Sequence, residues 1–488
     1  AAATGEPVLP LYIAEPSVQH AEDFSSRHWR FIRGCLVPLR ANLAHLGQPL
    51  IVRVGEAVEV LESLRQVFGP LVLRAHEETG VRITYDRDLA VAAWAKQHGI
   101  PFHESPQHGV IRGLKDRDRW AGNWERQMRA PLVQPPKTLV PVPGIDPGPI
   151  PTADELRLAP MTGGVQAAGE AEARETLRSF LYERGQPYQR AMSSPVTAFE
   201  HCSRLSPHIA WGSISIRTIL HATLARRDEL RASTKPGTAE WIRSLRSFES
   251  RLHWHCHFIQ KLESEPDIEF RSFVPAYDAL REDAFDPKRY EAWMAGQTGY
   301  PMVDACMRAL VATGYLNFRM RAMIVSFACY NLWLDWRRLH GFIARQWTDY
   351  EPGIHLSQLQ MQSGTSGINA IRIYNPVKQS REQDPDGEFI REWLPELRSV
   401  PAEYIHEPWT MPAAVAEEAA CLIGQDYPWP IVDLQASAKA ARERIYALRR
   451  QPEVQAQAER VVQRHGSRKR RKRKAPAKTD ARQGTLGF

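Results

Sequence analysis

GQTGYPMVDACMRALVATGYLNFRMRAMIVSFACYNLWLDWRR, residues 296 to 338, reads as two helices joined by a short loop around Gly314. Apolar residues recur at helical spacing from Met302 to Leu310 and from Met320 to Trp336, too densely for a helix with one wet face. Both helices are therefore expected in the interior. Into this run the sequence sets Arg319, Arg321 and Asp335, followed by Asp349 and Glu351 in WTDYEPGIH. An interior tolerates such charges only when they are paired or hold a polar ligand, so the stretch predicts a buried ligand site.

The chain around it has 488 residues, 43% of them hydrophobic, enough to bury substantial cores in about two or three domains. Six cysteines, at 35, 202, 256, 306, 329 and 421, form no CxxC pair, which argues against a zinc knuckle or a disulfide framework and for reduced thiols. No apolar run approaches a membrane span and no signal-peptide profile opens the chain, so a cytoplasmic protein is expected. The net charge is +7, and the unbroken run Arg468 to Lys474 holds seven basic residues, leaving the remainder neutral. A nucleic-acid groove on the body must then come from local arrangement, not bulk charge.

Residues 5 to 105 alternate short apolar runs (VLPLYI, PLIVRVG, LVLRA, IPFHE) with helical stretches, the rhythm of an open parallel sheet with helices on both faces. Residues 1–130 are thus expected to form a Rossmann-like α/β domain. Eight prolines between 131 and 151 exclude a regular helix or central strand, and 131–165 is assigned as a linker. Residues 166–450, from EAEARETLRSFL to SAKAARERIYALRR, are helical in pattern. The polar, basic stretch 451–488 is expected to be disordered.

The central stretch resembles the cryptochrome and DNA photolyase flavoproteins, a divergent prokaryotic branch of them. The resemblance rests on TGYPMVDACMRAL, the Arg319/Arg321 pair, LDW at 334–336, Asp349 and Glu351, and RIYNP at 372–376. CSRLSPHIAWGSIS at 202–215, FIREWLPEL at 389–397, HEPW at 406 and YPWPIVD at 427 continue the same order. It implies an amino-terminal antenna domain, here apparently without its first strand, ahead of a helical FAD-binding domain. FAD is the implied cofactor, with a second, antenna chromophore of unknown identity left open and no metal expected. Cofactor contacts carry over to Tyr188, Cys202, Ser203, Arg204, Leu205, Ser206, Arg321, Asp349, Tyr350, Glu351 and His355. His355 falls where the family faces flavin N5, often with Asn. Taken alone, CSRLSP equally reads as a capped helix start, and Arg321 with Asp349 as a structural salt bridge.

In RLHWHCHFIQKL at 251–262, Trp254 matches the family tryptophan that stacks on the lesion, but Arg251 and His255 replace the expected carboxylate and Arg. His253 and His257 share a face at i, i+4, read as an ordinary polar helix face and not a metal pair. The resemblance places Arg251, Trp254, His255, Phe318, Arg319 and Gln379 on DNA, with Trp254 and His355 as catalytic candidates. Of the family's three electron-carrying tryptophans only the middle one, Trp336, is matched; Leu359 holds the proximal place and Asp283 lies near the distal one. Trp333, Trp347 and Tyr330 are candidates for another route.

The implied activity is that of a deoxyribodipyrimidine photo-lyase, blue-light-driven splitting of cyclobutane pyrimidine dimers in UV-damaged DNA by reduced FAD. Phe318 and Ala322 stand where (6-4) enzymes of the family use histidines, which favours the cyclobutane lesion over a (6-4) photolyase. A cryptochrome-like photoreceptor, a flavin-free DNA-binding helical protein and a clamp-tethered accessory protein are the alternatives. A monomer associated with the nucleoid is expected. At the end of the chain, QGTLGF at 483–488 has the Q-x-x-L-x-F spacing of peptides that dock in the bacterial sliding clamp, and the basic run before it suits phosphate.

Overall fold

The computed structural model describes residues 1–282 and 284–467. Asp283, the basic run and QGTLGF lie outside the described residues. The amino-terminal part runs Leu11–Ala14 (β1), Ser26–His45 (α1), Ile51–Val54 (β2), Ala57–Phe68 (α2), Leu73–His76 (β3), Arg82–Gln97 (α3) and Phe102–Ser105 (β4). β1 pairs in parallel with β2, Leu11 opposite Ile51, and β3 with β4, Leu73 opposite Phe102. Parallel neighbours need a crossover, and the helices supply it. The α/β rhythm read from the sequence is present, but among the described residues the strands form two separate pairs and not one sheet. A shared apolar layer joins them: Leu11 and Ile13 of β1, with Leu73 and Phe102 of the second pair, pack on Ala57, Leu61, Val91, Trp94 and Ala95.

Between 131 and 165 there is no helix or strand, only a bridge of Val140 to Pro7, as the prolines dictate. This segment is nonetheless seated: Leu156 and Leu158 are buried with Trp29, Ile32 and Leu36 of α1. Just before it, Trp120–Met128 (α4) sends Trp120, Trp124 and Met128 into the core of the helical part.

The helical part holds the site on Thr238–Ser264 (α5), Pro301–Thr313 (α6), Phe318–Ser326 (α7), Trp336–Gln346 (α8) and Pro352–Ser363 (α9). Pro at the first position starts α6 and α9, where its missing N–H costs nothing. Gly314 ends α6 at φ 71°, a conformation that favours glycine, and leaves room for the Thr348 hydroxyl and Arg27. α6 and α7 are buried along most of their length, as the density of apolar residues requires. α5 runs against α9, closest at Gly353, where a Cβ would meet the Ile259 backbone at 2.5 Å.

One expectation fails here. Residues 452–465 are not disordered but form a helix, Pro452–His465 (α10), that buries Val454, Val461 and His465. With Ala458, these residues recur at i, i+4, i+7 and i+11, a stripe thin in side-chain volume yet on one face, and the face is covered. His465 Nε2 lies 2.7 Å from Glu265 at the end of α5. Among the described residues no helix is long and apolar enough to cross a membrane.

Candidate functional site

A pocket opens between α7 and α9. α7 contributes Phe318, Arg321, Ala322 and Val325; the segment after α8 contributes Trp347, Asp349, Tyr350 and Glu351; α9 contributes Ile354, His355, Gln358, Leu359 and Gln362, and Ile343 of α8 completes the wall. The α9 residues recur every three or four positions, so one face of that helix lines the space.

Arg321 and Asp349 form a bidentate pair at 3.0 and 2.9 Å, and the Arg321 Nε donates to the Leu316 carbonyl at 2.7 Å. Burial works against the Asp349 charge, but Arg321 and a hydrogen bond from Ser206 hold its carboxyl below the ordinary range. Ser206 starts the short helix Ser206–Ala210, so the CSRLS segment and the Asp349 segment meet in space. Arg204, at φ 60°, lays its guanidinium 3.6 Å from the centre of the Tyr315 ring, and Arg184 donates to the carbonyls of Cys202 and Ser203. Tyr188 is buried edge-on against Phe180 and Phe248 and is hydrogen-bonded to Arg251. Leu205 is fully buried beside it in the same core.

Glu351 is pushed up to about 8 by burial and then by the charge of Glu78, so at neutral pH it is a neutral acid able to donate a hydrogen bond. Burial, with His340 and Arg321 adding, lowers His355 and keeps it neutral as well. Several buried polar atoms of the lining have no partner among the described residues: His355 Nε2 and both amide atoms of Gln358, with Arg204 Nη1 nearby in the CSRLS segment. Buried polar groups without partners are expensive, so a polar ligand that pairs with them is the natural occupant.

Residues 248–447 match the family described as the FAD binding domain of DNA photolyase, and residues 1–114 match that described as DNA photolyase. The chain is 30% identical over 456 residues to a deoxyribodipyrimidine photo-lyase of Streptomyces griseus, covering 90% of this chain and 93% of the relative. It is 29% identical over 437 residues to a cryptochrome DASH of Gloeobacter violaceus, covering 86% and 85%. A solved class III photolyase of Agrobacterium tumefaciens shares the fold, at TM-score 0.78 over 92% of this chain and 93% of that one, with 24% identity. The chain belongs to the cryptochrome and DNA photolyase family, and its helical part is that family's FAD-binding domain. The residues present fit FAD: the Arg321–Asp349 pair, the neutral Glu351 and the unpartnered His355 and Gln358 atoms offer donors and acceptors to a flat polar ring, and Ser206 is bonded to Asp349.

Not every expected residue reaches the pocket. His255 is turned to the amino-terminal side, its ring 6.0 Å from His108, because the segment of residues 108–128 covers that face of α5. His253 and His257 likewise meet Trp120 at 4.8 and 5.8 Å; His257 is buried and His253 half-buried. Trp254, half-buried, stacks on Phe258 at 5.6 Å and lies outside the lining. Arg251 stays by Tyr188 and Met192. Arg319 and Gln379 do meet, at 3.3 Å, and Phe318 is 49% exposed at the mouth.

Of the tryptophans, Trp347 lines the pocket beneath Arg321, whose guanidinium sits 4.1 Å from its ring centre, and Leu359 occupies the wall. Trp336 is fully buried and donates to Ser272 at 3.2 Å. Trp333, at φ 59°, is flanked by Arg281 and Arg444 at 4.5 and 4.9 Å from its ring centre. A cation over a ring opposes removal of an electron from it, which disfavours Trp333 more than Trp336 as a carrier. Sequence reasoning missed His28, Asp23 and His340, which surround Tyr350 and His355. Nothing local to HW at 28 and 29 signals this; the contact spans more than 300 residues.

Proposed function

We propose that this protein is a deoxyribodipyrimidine photo-lyase that splits cyclobutane pyrimidine dimers in DNA. The observation that carries the reading is the pocket itself: a paired charge at its floor tied to the CSRLS segment, unpartnered polar atoms on its wall and an exposed aromatic at its mouth. The chemistry that reduced FAD would supply there is light-driven donation of one electron to the dimer, returned after the two ring bonds open. Asp349 and Arg321 hold the cofactor, Glu351 and His355 set the polarity around it, and Phe318, Arg319 and Gln379 meet the lesion and its phosphates. A dimer stacks and pairs poorly, so turning it out of the duplex costs less than turning out normal bases. Phe318 and Ala322 give the wall no imidazole from α7, which supports the cyclobutane lesion over the (6-4) lesion.

Purified protein should absorb near 450 nm, roughly where oxidised flavin does, and after reduction should restore thymine dimers under blue light. Repair of (6-4) lesions alone would overturn the substrate, and light-dependent partner binding without any repair would place the chain among photoreceptors. We further propose an antenna chromophore in the amino-terminal domain, a nucleoid-associated life in the cytoplasm, and recruitment to a sliding clamp through QGTLGF. Saturable binding of peptide 478–488 to the clamp, abolished by Leu486→Ala with Phe488→Ala, tests the last of these.

A further inference from the structure

Two side chains that line the pocket carry rings from which an electron can be drawn, Trp347 and Tyr350, and the charges beside them differ in sign. The Arg321 guanidinium lies 4.1 Å from the Trp347 ring centre, where a cation makes removal of an electron harder. Tyr350 has a carboxylate instead. Its hydroxyl donates to Asp23 Oδ2 at 2.6 Å, and no ion pair neutralises Asp23 among the described residues. The imidazoles around the Tyr350 ring, His355 at 5.3 Å, His28 at 5.7 Å and His340 at 6.5 Å, add no positive charge, because burial holds all three below the ordinary histidine range. Leu359, on the same wall, has no group to oxidise.

We propose that Tyr350 is the electron donor of the pocket and Asp23 its proton acceptor: Tyr350 yields one electron to light-excited oxidised flavin while its hydroxyl proton passes to Asp23. This rests on the pocket being the flavin site. The Tyr350 O–H bond breaks, an O–H bond forms on the Asp23 carboxylate and one electron leaves, so a neutral phenoxyl comes to face a neutral carboxylic acid. A small thiol in solution, acting as its thiolate, returns the electron to the phenoxyl, and Asp23 returns the proton.

The surroundings suit this task. Tyr350 is buried, and burial first, then the charge of Asp23, raises its hydroxyl well above the ordinary tyrosine range, so the phenol holds its proton until it is oxidised. An oxidised phenol that kept the proton would be a buried cation, which the interior penalises; moving the proton along the existing hydrogen bond removes that charge. The negative charge of Asp23 also favours loss of an electron from the ring beside it. Asp23 is half-buried just ahead of α1, whereas Tyr350 precedes α9, so the pair forms only where the amino-terminal part meets the helical part.

The test illuminates flavin-loaded wild type, Tyr350→Phe, Asp23→Asn and Asp23→Glu with a thiol, in water and in heavy water. Absorbance follows reduction, and electron paramagnetic resonance of frozen samples identifies the radical. Wild type should show a tyrosyl radical and be reduced about twofold more slowly in heavy water. Tyr350→Phe should lose that radical and the isotope effect and be reduced about tenfold more slowly. Asp23→Asn, which keeps the ring, should slow reduction severalfold at unchanged flavin content, and Asp23→Glu should recover most of the rate. Reduction of Tyr350→Phe at the wild-type rate, or the same radical persisting in it, overturns the proposal and leaves the flavin reading standing. Should Tyr350→Phe fail to hold flavin, equal rates in wild type and Asp23→Asn overturn it. A protein that takes up no flavin removes the flavin reading and this step with it. In flavin-free protein, ultraviolet Raman scattering from tyrosine reads the hydrogen bond itself. The difference between wild type and Tyr350→Phe should carry the signature of a hydroxyl donating to a carboxylate, and Asp23→Asn should erase it; its absence from wild type overturns the proton transfer whatever the pocket holds.

Discussion

Asp304 and Asp349 are both buried carboxylates of the helical part, and their surroundings have almost nothing in common. Asp304, on α6, accepts from Thr298 N–H and hydroxyl, Gly299 N–H and Tyr427 hydroxyl, at 2.6 to 3.0 Å. No ion pair meets it among the described residues, and burial pushes it up to about 6 against those four donors. Asp349 pairs with Arg321 and is held low. Around Asp304 every polar atom is closed by the chain itself, so it ties the start of α6 to the segment at 427. Around Asp349 the closure is incomplete, because His355 and Gln358 are left with atoms to spare. A buried charge whose shell is complete is structural, and one whose shell has gaps points to a ligand.

The comparison breaks most visibly at Asp349. Asp349→Ala leaves the half-buried Arg321 without its carboxylate partner and should weaken flavin retention by at least about 100-fold. Flavin content after gel filtration reads this out, and full retention with an unchanged spectrum would move the cofactor elsewhere.

Asp304 answers to pH instead. Its folded value lies above the ordinary carboxylate range, so the folded state binds the extra proton. Its contribution is full below about pH 4 and is lost as pH rises through about 6. The advantage of wild type over Asp304→Asn should therefore shrink by about 2–3 kcal/mol between pH 4 and pH 7, measured by urea unfolding, with flavin stoichiometry of the folded protein unchanged.

A third experiment sharpens what the gaps are for. If the open side of the Asp349 pocket receives bases, Phe318→Ala should weaken binding to dimer-containing DNA by about tenfold. Undamaged duplex should be bound as before; equal losses on both would make Phe318 a general DNA contact.

The smallest effect is expected at Trp336, which belongs to the closed kind of environment. Trp336→Phe should slow photoreduction of oxidised flavin severalfold and leave repair by chemically reduced enzyme near wild type. If both fall together with folding intact, the residue only packs, and the route lies elsewhere.

How far the site was legible depends on how local its signals are. Arg321, Asp349 and Glu351 stood out because charges in a dense apolar run need a reason. That reason holds regardless of how the helices pack. The helix 452–465 escaped because four small or modest side chains at helical spacing look polar by composition, and only the covering by Phe273 and its neighbours makes the stripe a core face. His255 went astray for the converse reason. Its helix was correctly read, but which face points to the pocket is set by the segment of residues 108–128, which lies on the other side.

The sequence by itself determined the βα rhythm, the Pro-rich connection, the buried α6–α7 pair and the charges that must be satisfied within it, since periodicity and the cost of burying charge act over a few turns of chain. Only the tertiary structure decided that the strands stand as two pairs, that His255 leaves the pocket, and that Asp23 and His28 approach Tyr350 from more than 300 residues away. Such contacts depend on how separately folded layers are stacked, and no local propensity encodes the distance between them.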